Sequence, residues 1–256
     1  MTTSTLNAPP VTTRRGTNRI GAVVRLQFTN PWTVVILPWL ILIAILLLNL
    51  AIWWLIFHNL TGESLANARE GTQYSGAISY AFVYMMVVAV QAVNGYFPFA
   101  LGYSVTRRNY YLGTALAFVG LSVFYSIGLS IFALLEDVTN GWWIGGTMFT
   151  AVYFGENPLQ RLFIYFTILM LFFFLGSAVA AMYVRWKALG MIAFFVGLPF
   201  LLVGIGALVS VTDSWEAVGN WFVTTGLVGT FAWTLVLTAI CAVTGYLVLR
   251  KATPKS

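Results

Sequence analysis

Six apolar runs alternate with short polar or aromatic segments along the chain: about Thr33–Phe57, Gly76–Phe99, Leu112–Leu135, Leu162–Val184, Ala188–Val209 and Leu227–Leu249. A hydrocarbon core of about 30 Å needs roughly 20 residues at helical rise, and each run reaches that length. The runs are apolar on all sides, without the polar face of a globular surface helix. In lipid, backbone N–H and C=O groups must pair within the segment, so the pattern predicts helices. The expected fold is an all-α integral membrane protein of six transmembrane helices. Before the first run, Ile20, Val23, Val24 and Phe28 recur at helical spacing with Arg19 and Arg25 between them. This predicts an amphipathic interfacial helix within residues 19–30. Asn30-Pro31 ends it and opens the first span. Residues 1–18 and 252–256 read as a disordered and a short cytoplasmic tail, flanking a membrane domain over 31–251.

Composition agrees with the pattern. Hydrophobic residues make up 60% of the 256 positions and charged residues 8%, and mean hydropathy is +0.87. Globular domains average about 25% charged, and a soluble fold of this length could not hide so much apolar surface. One cysteine, Cys241, gives no disulfide or CxxC framework. The first run is too long for a cleaved signal and is expected to insert as an ordinary span.

Charge then orients the chain. The N-terminus, residues 100–111, residues 185–187 and the C-terminus together hold 11 of the 13 basic residues and none of the 7 acids. The intervening segments hold every acid, with Arg69 and Arg161 as their only basic residues. The basic set is expected to face the cytoplasm, with both termini inside. The basic balance therefore reflects topology and anionic headgroups, and no nucleic-acid partner is expected.

Soluble catalytic motifs are absent. There is no GxxxxGK[ST], no HExxH and no GxSxG, and the sole histidine, His58, stands at a span end. No enzymatic activity, metal or directly bound cofactor is expected. Spans free of charge weigh against a proton relay. The polar residues left inside are a stripe in the second run, Tyr80, Tyr84, Gln91 and Asn94, lying within about 80° of arc, and Asn49 in the first. They are candidates for a translocation path, and equally for structural hydrogen bonds between helices. Thr230, Thr234 and Thr238 in the sixth run read as packing positions whose hydroxyls bond their own backbone. The fifth run carries Gly190, Gly197, Pro199, Gly204 and Gly206, which predicts a kink or close helix packing. The segment between the third and fourth runs, rich in glycine and aromatics, is expected to rest in the outer interface or to re-enter.

One cytoplasmic elbow stands out: "GYSVTRRNYYLG", Gly102–Gly113. Ser104 or Thr106 can cap a short helix, Arg107 and Arg108 can meet carboxylates, and Tyr110 and Tyr111 offer aromatic anchors. With Asn109 these form the candidate coupling site. The elbow resembles the segment between the second and third spans of permease subunits of type-2 class ATP-binding-cassette exporters, which follow a pattern like G-x-S-R-R-x-x-[FY]-x-x-G. Here Val105-Thr106 separates Ser104 from the arginines. The resemblance implies six spans, an amphipathic helix before the first, and a short cytoplasmic coupling helix at the elbow. It further implies a second permease chain, as homodimer or paralogue, and a separate ATPase subunit that would hold ATP and Mg. The chain would then be a transporter subunit of a bacterial cytoplasmic membrane that exports an amphiphilic or hydrophobic substrate among membrane lipids. The alternatives are an ATPase-independent carrier or channel, and a membrane assembly or anchoring subunit.

Overall fold

The computed structural model describes residues 19–252, and among them there is no strand. The tail predicted at residues 1–18, and all but Ala252 of the one predicted at 252–256, lie outside the described residues. Eight α-helices follow in order: α1 (Arg19–Gln27), α2 (Leu37–His58), α3 (Gly62–Thr72), α4 (Ser79–Gln91), α5 (Phe97–Gly102), α6 (Arg107–Val138), α7 (Pro158–Val211) and α8 (Trp215–Lys251). A π-helical turn, Trp32–Ile36, leads into α2, and a second, Ala92–Tyr96, joins α4 to α5.

Among the described residues, five continuous stretches are long and apolar enough to cross a membrane: Trp32–His58, Ser79–Gly102, Arg107–Val138, Pro158–Val211 and Trp215–Lys251. The fourth and fifth apolar runs of the sequence both fall in α7. Its 54 residues would reach about 81 Å if straight. Instead Lys187, at φ 55° and ψ −142°, breaks the helix between them. Gly226, at φ 66° and ψ 176°, breaks α8 just before the sixth run, a backbone conformation that glycine adopts without a Cβ penalty. Asn157 caps α7 as its sequence predicts, its Oδ1 accepting from the Leu159 amide at 2.9 Å.

The packed body consists of α2, α4, α6 and the first limb of α7. Phe118 stacks on Phe173 with ring centroids 4.9 Å apart, and Trp39 stacks on Tyr125 at 5.2 Å. α4 and α7 meet where Gly176 leaves room: a Cβ there would sit 2.5 Å from the Met86 carbonyl oxygen. The limb after Gly226 returns to this body, with Gly245 against Ala178. By contrast no residue from Met182 through Leu237 is buried. A Cβ at Gly197, Gly204 or Gly206 would meet nothing within 4 Å, so among the described residues nothing packs closely over these three glycines. The threonines of the sixth run do bond their own helix, to the carbonyls of Gly226, Phe231 and Thr234 at 2.6–2.8 Å.

α1 is more deeply held than a helix resting on a leaflet. Val23 and Gln27 are buried. Val23 packs on Gly113 of α6, and Gln27 Nε2 donates to Thr114 Oγ1 at 3.0 Å. The segment between α6 and α7 is likewise part of the protein core. Met148, Phe149 and Ala151 are fully buried, Phe149 packs on Phe132, and Phe154 packs on Phe82 and Tyr165. It folds over one end of the bundle as a plug.

Candidate functional site

The elbow is built from the ends of α5 and α6. The helix expected between the second and third spans is not a separate element here. α5 carries the second stretch to Gly102, and Thr106 caps α6 directly, its hydroxyl accepting from the Asn109 amide at 3.3 Å. Ser104 turns the chain at φ 57°, in the left-handed region. Arg107 donates to the Arg250 carbonyl oxygen at 2.6 Å, at the last turn of α8. This bond suits a cation at a helix C-terminus.

The two tyrosines, expected as aromatic anchors, are both bonded to neighbouring helices. Tyr110 is fully buried and its hydroxyl donates to the Ala92 carbonyl of the second π turn. Tyr111 is half-buried and donates to the Ala242 carbonyl of α8 at 2.6 Å. The reason is helical spacing: with the cap at Thr106, the position of Tyr110 falls on the face that packs against the bundle. What the elbow does expose is Gly102, Tyr103, Ser104, Thr106, Arg108 and Leu112.

The polar stripe of the second stretch divides. Tyr84 donates to the Thr33 carbonyl at 2.8 Å. Tyr80 Oη and Asn94 Oδ1 are buried with no hydrogen-bond partner among the described residues. Gln91 lines a cavity of about 90 Å³ with Gln27, Asn30, Thr33 and Tyr96. Asn49 stands apart from it, donating to its own helix at the Ile45 carbonyl, 2.9 Å away.

Proline chemistry explains the tyrosines at the first π turn. Pro38 has no N–H, so it cannot bond the carbonyl four back, Val34, or five back, Thr33, as a π turn would. Tyr125 donates to Val34 at 2.8 Å and Tyr84 to Thr33. Pro98 likewise follows the second π turn, but the carbonyls it leaves free are those of Asn94 and Val93; Tyr110 meets that turn earlier, at Ala92. Helix breaks at membrane depth persist where neighbours take up freed carbonyls. Both π turns border the small polar cavity, through Thr33 and Val34 of one and Tyr96 of the other.

At the opposite end sits a side chain that the sequence pattern did not single out. Glu136, 1% exposed, accepts hydrogen bonds from the amides of Met148, Phe149 and Thr150, the Thr150 hydroxyl and the Trp142 indole at 2.6–3.2 Å. Next to it Asp137 pairs with Arg161, whose Nε donates to the Gly155 carbonyl at 2.8 Å. Tyr153 donates to the Ser75 carbonyl, and burial pushes its phenol above the ordinary value. The sign available in the sequence was an acid directly before a glycine-rich aromatic segment, but nothing in spacing tells a pinned carboxylate from a solvated one. Among the described residues, no group of three or more His, Cys, Asp or Glu could hold a metal ion.

The fold and these sites define a class, an all-helical protein with several long apolar helices compatible with membrane spans. No protein-family model, curated protein or solved structure matches the chain.

Proposed function

We propose that the chain is the membrane-spanning permease subunit of an ATP-binding-cassette exporter, working with a second permease chain and a separate ATPase subunit in a bacterial cytoplasmic membrane. The observation that carries the reading is the anchoring of the elbow. Its outer face offers Tyr103, Ser104 and Arg108 to solvent. Its inner face is bonded to the second stretch through Tyr110 and to the sixth run through Arg107 and Tyr111, while it opens α6 itself. A push on such an elbow reaches three helices at once, which is what a coupling element requires.

Parity supports six crossings. α1 lies against the elbow, and the last turn of α8 is bonded to it. Two ends on one side require an even number of crossings, and α7 crossing twice, with its turn at Lys187, supplies it. The plug closing the far end, and a polar cavity on the near side, suit a substrate taken from the cytoplasm or inner leaflet. The face left uncovered between Met182 and Leu237 is where a second chain would fit.

Co-expression with a candidate ATPase tests the reading. Arg108→Glu is expected to lower co-purification and coupled hydrolysis by at least about tenfold, because reversing a charge that meets a carboxylate costs several kcal/mol. If no ATPase co-purifies with the unaltered chain, or if Arg108→Glu leaves hydrolysis and transport unchanged, the reading fails. Flux in proteoliposomes holding this chain alone would favour an ATPase-independent carrier or channel.

A further inference from the structure

Beside the elbow lies a groove that shares Tyr103 and Ser104 with the elbow's outer face and extends away from Arg108. It has a volume of about 490 Å³ and runs between α1 and α5, lined by Arg19, Ala22, Val23, Leu26, Phe99, Ala100 and the elbow residues Tyr103, Ser104 and Val105. Its floor is apolar. Its rim carries one guanidinium and two hydroxyls. Its wall is fixed, because α1 is held on α6 by Val23 against Gly113 and by Gln27 to Thr114. A site of this size accepts a headgroup with the upper part of an acyl chain.

Charge decides the occupant. No acid occurs between Glu70 and Glu136, or anywhere before Glu63 or after Glu216. The groove, the elbow and the last turn of α8 are therefore an acid-free end holding Arg19, Arg25, Arg107, Arg108, Arg250 and Lys251. The first 18 residues add two arginines and no acid, so they cannot neutralise Arg19. A zwitterionic lipid would bring no net charge to it. We infer that the groove between α1 and α5 binds an anionic phospholipid of the leaflet at this end, its phosphate on Arg19 and the Ser104 and Tyr103 hydroxyls, and its chain along Leu26 and Phe99. Basic pockets between spans on the cytoplasmic side are where such headgroups bind. The inference rests on the membrane reading but not on an ATPase.

The test uses the full chain alone, purified in detergent and titrated with dioleoylphosphatidylglycerol or dioleoylphosphatidylcholine, with bound lipid counted by native mass spectrometry. The unaltered chain is expected to retain one phosphatidylglycerol at least about fivefold more tightly than phosphatidylcholine, the effect of one basic residue near a headgroup. Arg19→Gln should remove that preference. Ala22→Trp, which fills the floor from an exposed position and leaves the α1–α6 contact intact, should remove the retained lipid. Arg185→Gln, away from the groove, should change neither. Equal retention of the two lipids overturns the inference, as does an unchanged preference in Arg19→Gln, unchanged retention in Ala22→Trp, or an equal loss in Arg185→Gln. None of these outcomes bears on ATPase coupling, which is read from hydrolysis.

Discussion

Glu136 organises more of the molecule than any other single side chain. Five donors converge on one buried carboxylate, and three of them are consecutive backbone amides that have no other acceptor in the plug. Buried donors left unpaired cost about 1–3 kcal/mol each, and bonds to a charged group contribute about 1.5–3 kcal/mol. Glu136→Ala should therefore destabilise by roughly 3 kcal/mol or more. Glu136→Gln keeps the shape but turns an N–H₂ toward donors, and should cost about 2 kcal/mol. The check is the thermal midpoint in detergent together with amide exchange at Met148–Thr150. Exchange there should rise in both variants while the α6 core stays protected, and unchanged protection would show that the carboxylate does not hold the plug. Sequence reasoning could place Glu136 at the outer end of the third run, from charge alone. It could not see the burial, because the donors come from a segment 6–14 residues later whose fold has no periodic signature.

Between elements, glycine separates two kinds of helix surface. At Gly176 the Met86 carbonyl lies 2.5 Å from where a Cβ would be, and backbone cannot step aside as a flexible side chain can. Gly176→Ala should push α4 off α7 and cost about 1–3 kcal/mol, the usual range for overpacking. At Gly197 nothing lies within 4 Å, and alanine is the better helix former by about 1 kcal/mol. Gly197→Ala in the isolated chain should leave the thermal midpoint unchanged or raise it. Parallel melts of the two variants in one detergent check the contrast. If Gly197→Ala destabilises as much as Gly176→Ala, a partner helix already covers that face in the purified protein. All six apolar runs were legible as helices, because length and hydropathy dominate in lipid, and the break at Lys187 falls within the segment 185–187 that separates the fourth run from the fifth. The π turns were not legible: the first depends on Pro38 meeting tyrosines from other helices, and the second has no periodic signature of its own. The inward turn of Tyr110 escaped for a related reason, since it depends on whether the cap falls at Ser104 or Thr106.

For the molecule as a whole, the question is whether the broken 54-residue helix crosses the membrane once or twice, and the lone cysteine makes that measurable. Cys241→Ser gives a cysteine-free background, into which single cysteines can be placed at Ser64, Arg108, Lys187 and Asp213. If α7 crosses twice with its turn at Lys187, an impermeant maleimide applied to right-side-out vesicles labels Ser64→Cys and Asp213→Cys. Arg108→Cys and Lys187→Cys then react only after permeabilisation. If α7 crosses once, Lys187 lies at membrane depth and does not react, and Asp213 moves to the side of Arg108. A single crossing would also carry the last turn of α8 away from the elbow, in conflict with the Arg107–Arg250 hydrogen bond. Asp213 is thus the deciding position. Its labelling side tests the charge asymmetry of the sequence, the break at Lys187 and the elbow contact together, because two crossings are the one arrangement that satisfies all three.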